Sequence, residues 1–216
     1  NGYSFDLGVR SEQTTLFNYD LSLFYLNYDN RIGEVQFYDE NNRVLRKRSN
    51  IGQAVIRGVE AYGEIDLIGF MYPNQDVWSG VVFNNIAFID SEYKRSEVPG
   101  IEGNKVEFVP DVNLKTGFRV GYKSIKASFQ YTYLSDQFTD ATNATESDAS
   151  AVIGLIPSYS IMDVTLSYQF KKVRIETSIN NLADQMYFTR RATGYPGPGI
   201  LPSDGRSYYL TLQVKL

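Results

Sequence analysis

Residues 112–133 read VNLKTGFRVGYKSIKASFQYTY, and they alternate between apolar and other side chains on both sides of a short break. Before the break the apolar residues stand at even positions, and after it they stand at odd positions: Val112, Leu114, Phe118, Val120 and Tyr122, then Ile125, Ala127, Phe129, Tyr131 and Tyr133. A period of two predicts strands with two unlike faces. The two-residue break at Lys123-Ser124 predicts a hairpin in which Tyr122 lies opposite Ile125, so both strands share one apolar face.

The same alternation recurs along the chain and predicts nine strands. A second hairpin turns at Lys171-Lys172, where Phe170 is expected to face Val173. The alternation is less regular in two of the segments, about residues 54–68 and 77–89. The predicted strands cover about residues 3–9, 17–25, 54–68, 77–89, 112–122, 125–133, 162–170, 173–179 and 208–216.

Short connections alternate strictly with long ones, the long ones being about Asn30 to Ile51, Ser91 to Asp111, Gln137 to Ser158 and Ala183 to Ser207. Four structureless connections of this length argue against a compact soluble domain. Outer-membrane β-barrels, in contrast, combine short periplasmic turns with long extracellular loops, an apolar lipid-facing side and a polar lumen. The pattern therefore favours an all-β fold, an antiparallel transmembrane β-barrel. A soluble antiparallel sandwich or barrel remains the alternative, because its strands alternate in the same way.

The composition excludes several classes of function. The 216 residues contain no Cys and no His, so thiolate and imidazole metal sites, disulfides and catalytic triads with a His base are ruled out. A net charge of −4 gives no reason to expect nucleic acid as a partner. The carboxylates Glu60, Glu64 and Asp66 share one strand face, yet nothing in their pattern indicates acid/base chemistry. We therefore predict no enzyme activity and no catalytic residue.

Aromatic residues are unusually frequent, with 17 Tyr and 13 Phe against one Trp. In the predicted strands, Tyr131 and Tyr133 stand at the loop end, whereas Tyr122, Tyr168 and Phe170 stand at the turn end. Two such bands match the aromatic girdles found at the two interfaces of a membrane barrel.

Several short motifs resemble those of TonB-dependent outer-membrane receptors. NNLAD at 180–184 with Tyr187-Phe188, GRSY at 205–208 with an alternating last strand, and the segment Ile51 to Glu60 are similar to strands of that family. YTYLSDQF at 131–138, LIPSY at 155–159 and YFTRRATGYPGPG at 187–199 resemble the branch of ferric dicitrate receptors. Each motif is weak alone, but their order spans essentially the whole chain.

The resemblance implies a plugged barrel of about 22 strands. Nine strands fall short of that number, so residues 1–216 are predicted to be the C-terminal part of the barrel, with the plug domain absent from this chain. The implied function is TonB-dependent import of a ferric chelate, specifically ferric dicitrate, across the outer membrane of a Gram-negative bacterium. The TonB-ExbB-ExbD complex would act through the missing N-terminal region. Outer-membrane lipid and lipopolysaccharide are further expected partners.

Two alternatives to ferric dicitrate import stay open. One is TonB-dependent import of another cargo, such as a siderophore, cobalamin or a glycan. The other is a surface β-barrel or binding module without a transport function. In the import hypothesis iron arrives as a chelate, so neither a cofactor nor protein metal ligands are expected.

Loop arginines are the candidate ligand-binding residues. Arg190 and Arg191 precede a Gly/Pro-rich run that includes Tyr195, and such arginines grip carboxylates bidentately. Alternatively, the pair is solvated, or binds lipopolysaccharide phosphates or a neighbouring loop carboxylate. A second basic cluster lies in the connection from Asn30 to Ile51 and comprises Arg43, Arg46, Lys47 and Arg48. Its arginines also carry a ligand-binding hypothesis, although solvation is favoured there.

One acidic loop offers carboxylates that could hold Ca²⁺ through oxygen ligands. It contains Asp136, Asp140, Glu146 and Asp148, whose spacing lacks the EF-hand pattern. Solvated carboxylates are the favoured interpretation, and no metal site is predicted.

Overall fold

The computed structural model describes residues 1–11, 16–41, 44–147, 149–192 and 198–215, and only the backbone at 34–36, 38, 44 and 46. Among these residues, nine strands form one sheet in the order β1-β2-β3-β4-β5-β6-β7-β8-β11, and β9 and β10 pair separately. Each pair of neighbouring strands is antiparallel. The predicted all-β antiparallel architecture and the count of nine principal strands are confirmed.

The elements have the following bounds: β1 Gly2–Ser11, β2 Phe17–Tyr38, β3 Val44–Asp66, α1 Leu67–Met71, β4 Trp78–Ser96, β5 Val112–Tyr122, β6 Ile125–Leu134, β7 Tyr159–Phe170, β8 Val173–Asn180, β9 Phe188–Ala192, β10 Gly199–Pro202 and β11 Ser207–Val214. The end of the sheet that carries β9 and β10 is called the loop end below. The opposite end, with the tight hairpins, is called the turn end.

The register aligns the apolar residues of consecutive strands into one outer face. In the centre of the sheet, Phe118 pairs with Phe129, which pairs with Val164. The rings of Phe118 and Phe129 stack with centroids 5.5 Å apart. Large apolar side chains of this face stay exposed across the whole sheet, among them Leu7, Leu23, Phe118, Leu166 and Leu212. An apolar surface of this extent needs a nonaqueous partner.

Both tight hairpins have the predicted register. Tyr122 pairs with Ile125, and Phe170 pairs with Val173. The first turn residue in each, Lys123 or Lys171, has a φ of +51°. Positive φ in a two-residue loop matches the twist of the flanking strands. The aromatic residues predicted for the two girdles accordingly lie at opposite ends of the outer face.

The inner face is polar and internally paired. Glu64 accepts hydrogen bonds from Asn18 Nδ2 at 2.9 Å and from the Tyr62 hydroxyl at 2.8 Å, and it forms an ion pair with Arg119. The guanidinium of Arg119 also lies 5.3 Å from the ring centroid of Phe83. This carboxylate is therefore held by structural contacts.

The turn end contains the helix α1, which the sequence assigned to a strand end and a connection. Asp66 caps it by accepting a hydrogen bond from Gly69 N at 2.9 Å. Gly80 lets the helix approach β4, because a Cβ atom there would lie 2.6 Å from Ile68 Cγ1. No helix in the described residues is long and apolar enough to cross a membrane.

One predicted loop, 30–51, is largely strand, and a second, 91–111, begins as strand. β2 and β3 remain paired out to Tyr38 and Val44, and β4 continues to Ser96. The register shifts between Tyr28 and Ile32 and between Gln53 and Ala54. These irregularities break the period of two while backbone pairing continues. The alternation in the sequence therefore stops before the strands end.

This extension corrects the expected surroundings of the second basic cluster. Arg46 and Arg48 lie within β3 rather than in a loop, because the hairpin extends past the irregularities. Arg43 lies outside the described residues.

The two faces predict opposite responses to a charge. We expect Phe129→Arg to destabilise the full-length protein in a bilayer by about 2–4 kcal/mol, because position 129 is central on the outer face. Gln130→Arg is the matched control, since it places the same group on the polar inner face of the same strand. Denaturant unfolding in lipid vesicles measures both, and equal losses would contradict the assignment of the faces.

Candidate functional site

An apolar cluster closes the inner face at the loop end. The register places Ile56 opposite Ser91 and Ala54 opposite Tyr93, on the same face as Glu60. Residues from the connections 97–111 and 135–158 join these side chains; the buried members are Ile51, Ala54, Ile56, Tyr93, Ile101, Val106 and Ala141. Both connections therefore fold back over the inner face and make a packed floor for the loop end.

Hydrogen bonds join the two connections to each other and to β4. Tyr93 N donates to Asn104 O, and Gly103 N donates to Tyr93 O, both at 2.8 Å. Asn104 Nδ2 donates to Ala141 O at 2.8 Å, and Lys105 N donates to Asn143 Oδ1 at 2.7 Å. These contacts fix the two connections relative to the sheet without a ligand.

A buried polar network links β2, β4 and the connection 97–111. The Tyr93 hydroxyl donates to Glu107 Oε2 at 2.6 Å, and Arg31 Nη2 lies 3.4 Å from Glu107 Oε1. Arg31 Nε also donates to the Tyr93 hydroxyl oxygen at 3.3 Å. Gly33 makes room for the network, because a Cβ atom there would lie 2.8 Å from Glu107 Oε1. The charge on Glu107 is thus compensated by Arg31 where it is shielded from water.

The pKa of Tyr93 reflects this environment. The residue lies beyond the outer-face ion pair of Arg57 and Asp90, outside the apolar span. Burial raises the pKa of Tyr93, and the hydrogen bond to the Glu107 carboxylate raises it further. The folded pKa exceeds the value of about 10 for an unfolded tyrosine, so the protonated hydroxyl stabilises the folded state fully below pH 10. This contribution is lost as the pH rises through the folded pKa.

A cavity of about 390 Å³ borders this network. Arg31, Arg48 and Glu107 contribute to its lining. Arg48 is thereby brought near the network rather than near β9 and β10. The side chain of Arg46 lies outside the described part of the chain, as does Arg43, so their ligand-binding role stays a prediction.

The structure separates the two arginines of the Gly/Pro-rich connection. Arg190 and Arg191 lie on β9, which pairs with β10, so their side chains point to opposite faces. Arg190 is exposed, whereas Arg191 is 5% exposed. Tyr195 lies outside the described residues, and its role also stays a prediction.

The buried guanidinium of Arg191 joins β9 to the segment 147–155. Nη1 donates to Ala151 O at 2.8 Å and to Ser147 Oγ at 3.1 Å, and Nη2 donates to Leu155 O at 2.8 Å. The guanidinium also lies 5.0 Å from the ring centroid of Phe188. Arg191 therefore holds two long connections together while Arg190 points away from them.

The acidic loop does not assemble a metal site among the residues that the structure describes. No group of three or more carboxylates, His or Cys is close enough there to hold a metal ion. Asp140 is buried, and its Oδ2 accepts a hydrogen bond from Thr142 Oγ1 at 2.5 Å. This carboxylate organises a turn, and Asp148 lies outside the described residues.

Sequence reasoning missed Arg31, Tyr93 and Glu107. Glu107 stands in an irregular connection and pairs with residues 14 and 76 positions away, so no local pattern marks it. The one signal was Gly33 close to Arg31, since a glycine in a strand often marks a close approach of other atoms.

Comparison with known proteins gives a family match over most of the chain. The model of the family described as "TonB dependent receptor-like, beta-barrel" matches residues 1–182.

Solved structures share the fold at low sequence identity. The ferric citrate transporter FecA in its unliganded form is similar with a TM-score of 0.78 and 22% identity, over 98% of this chain and 30% of that one. The ferric yersiniabactin uptake receptor FyuA from Yersinia pestis has a TM-score of 0.70 and 20% identity, over 98% and 29%. The siderophore receptor PiuA from Acinetobacter baumannii has a TM-score of 0.68 and 20% identity, over 98% of this chain and 28% of that one. The chain thus spans less than a third of the length of these structures.

Removing the Tyr93 hydroxyl tests the buried network. We expect Tyr93→Phe to destabilise the packed arrangement of the connection 97–111 by about 1–3 kcal/mol, because Glu107 Oε2 loses its buried donor. Hydrogen exchange of the Gly103 and Asn104 amides in the full-length protein measures this loss. Tyr159→Phe is the control, since Tyr159 packs its ring against Tyr187 with centroids 4.6 Å apart. Unchanged exchange in Tyr93→Phe would contradict the role of the network.

Replacing Arg191 by lysine tests the junction of the two connections. We expect Arg191→Lys to raise protease sensitivity within residues 147–155 and 188–192, because one ammonium does not reproduce the planar fork that reaches three acceptors. Limited proteolysis of the intact protein on membranes gives the cleavage sites and rates. Arg190→Lys, on the exposed face of β9, should leave both rates unchanged. Equal protection in the two variants would argue against a junction made by Arg191.

Proposed function

The chain belongs to the TonB-dependent receptor-like β-barrel family, and we propose that it is the C-terminal part of a receptor that imports a ferric chelate. Family members are outer-membrane transporters of Gram-negative bacteria rather than enzymes. The predicted antiparallel transmembrane fold and outer-membrane location are thereby confirmed. The soluble sandwich, which alternation alone left open, is set aside.

Ferric dicitrate is the cargo that we propose. Three segments resemble ferric dicitrate receptors, namely 131–138, 155–159 and 187–199. Their described residues lie at the loop end, and two of the segments meet where Arg191 donates to Leu155 O. The ferric citrate transporter FecA shares the fold. At 22% identity that likeness concerns the fold, so the choice of cargo depends on the motifs and on the charge presented beside them.

The exposed position of Arg190 is the observation that carries this proposal. Arg190 lies on a short strand that is paired with β10 and held from below through Arg191. A guanidinium on a fixed support loses little conformational entropy when it binds, and its planar fork matches a carboxylate. Arg190 would therefore contact a citrate carboxylate, and Arg191 would position Arg190. Arg43, Arg46, Arg48 and Tyr195 remain further candidates for contacts with the chelate.

The proposed cargo is compatible with a chain that contains no Cys and no His. Iron that arrives fully coordinated by citrate needs counter-charges from the receptor rather than protein ligands, so a chain without Cys and His is suitable. Release into the periplasm needs energy, which we assign to the TonB-ExbB-ExbD complex. Its contacts, like the plug, belong to a region of the receptor other than residues 1–216.

A ferric siderophore is the second candidate cargo. FyuA, a ferric yersiniabactin uptake receptor, and PiuA, a siderophore receptor, share the fold with TM-scores of 0.70 and 0.68. The same loop end would then present Arg190 to the acidic groups of a larger chelate.

Binding to the full-length receptor tests both cargoes. We expect ferric dicitrate to bind the unmodified receptor and Arg190→Gln to bind it about tenfold more weakly, because one charge-assisted bidentate contact is lost. Isothermal titration with ferric dicitrate, and in parallel with a ferric siderophore, measures the affinities.

The control is Arg57→Gln. Arg57 is an exposed arginine near the loop end, but it faces outward and pairs with Asp90 at 2.9 Å. Its replacement should leave the affinity for the chelate unchanged. Equal affinity in Arg190→Gln would remove Arg190 from the site, and tight binding of the siderophore alone would replace the dicitrate assignment by the second cargo.

A further inference from the structure

An apolar groove lies at the turn end, between the helix α1, the first residue of β4 and the last residue of β5. Its volume is about 790 Å³, and its lining includes Ile68, Tyr72, Val77, Trp78, Tyr122 and Lys123. The rings of Trp78 and Tyr122 form one wall, with centroids 4.3 Å apart. These two residues pair across β4 and β5 on the outer face, so the groove opens toward the surroundings of the sheet and not toward the lumen.

Backbone contacts hold the groove in place. Gln75 Oε1 accepts hydrogen bonds from Val77 N at 3.0 Å and Trp78 N at 2.8 Å. Lys123 N donates to Val77 O at 2.9 Å, which ties the β5–β6 turn to the connection after α1. The groove is therefore a fixed feature of the turn end rather than a gap between mobile side chains.

One cation stands at the edge of the groove. Lys123 Nζ lies 5.2 Å from the ring centroid of Tyr122, on the wall of the groove. Among the described residues, no carboxylate forms an ion pair with this ammonium. A positive charge beside an apolar, aromatic surface fits a ligand that combines an anionic group with hydrocarbon.

The position in the barrel identifies the source of such a ligand. Short turns of outer-membrane barrels lie at the periplasmic rim, so the groove is level with the periplasmic leaflet. Apolar residues of α1 are also exposed at the turn end, among them Phe70 at 68% and Met71 at 57% exposure. An acidic polypeptide would not match this apolar lining, whereas a lipid would cover it.

We propose that this groove binds an anionic phospholipid of the periplasmic leaflet. One acyl chain lies against Ile68 and Trp78, and the headgroup phosphate contacts Lys123 Nζ. The net negative charge of the lipid distinguishes it from a zwitterionic phospholipid, whose own cation would stand close to the ammonium. The site is independent of the cargo of the receptor.

Native mass spectrometry of the full-length receptor tests the site. The receptor is titrated with equal amounts of phosphatidylglycerol and phosphatidylcholine that carry the same acyl chains. We expect retention of phosphatidylglycerol, and an about fivefold loss of this preference in Lys123→Asn, because one lysine near a membrane surface contributes on the order of 1 kcal/mol. Asparagine is chosen because it tolerates the positive φ of 51° at this position.

Lys171→Asn is the matched control. Lys171 has the same φ of +51°, and its Nζ also lies over an outer-face ring, 5.5 Å from the centroid of Phe170. It differs in that it does not line the groove. Its replacement should preserve the preference for phosphatidylglycerol. An equal loss in both variants would mean a general effect of cationic turns and would overturn the specific site.

A second variant addresses the apolar part. Trp78→Ala removes one wall of the groove and leaves Lys123 in place, so retention of phosphatidylglycerol should fall as well. Heat-modifiable migration in detergent gels checks that each variant is assembled. Unchanged lipid retention in assembled Lys123→Asn or in assembled Trp78→Ala would overturn the proposal.

Discussion

Backbone pairing between neighbouring strands is the constraint on which the whole structure depends. In hydrocarbon, every N–H and C=O group must find a partner within the protein, because water is absent and each unpaired group costs several kcal/mol. Antiparallel ladders meet this demand between each pair of neighbouring strands from β1 to β11 in the principal sheet. Since the ladder also fixes which side chains lie opposite each other, it sorts them into an outer apolar face and an inner polar face.

Backbone pairing continues toward the loop end, where the side chains no longer alternate between an apolar and a polar face. The ladder of β2 and β3 runs past the register shifts at Tyr28–Ile32 and forms a long hairpin. Beyond this level the inner face no longer lines an open space, because two connections fold onto it and bury a cluster around Tyr93. The rigid sheet thus becomes a support for the loops that are proposed to contact the chelate.

The two adjacent arginines show how pairing assigns different roles to neighbours in sequence. A strand directs consecutive side chains to opposite faces, so Arg191 enters the junction with residues 147–155 while Arg190 stays exposed. The sequence offered both as one anion clamp, because a Gly/Pro-rich loop carries no visible period. A short strand in that loop divides the pair into an anchor and a group available for a ligand.

Much of the fold was determined by the sequence itself. The period of two, the two-residue turns at Lys123 and Lys171 and the alternation of connection lengths depend on near neighbours, so they located the strands, the faces and the barrel class. The ends of β2 and β4, the network of Arg31, Tyr93 and Glu107, and the groove at Trp78 were decided by the tertiary structure. Each depends on residues far apart in the chain that only pairing and packing bring together, and a pattern of adjacent residues carries no record of such distant contacts.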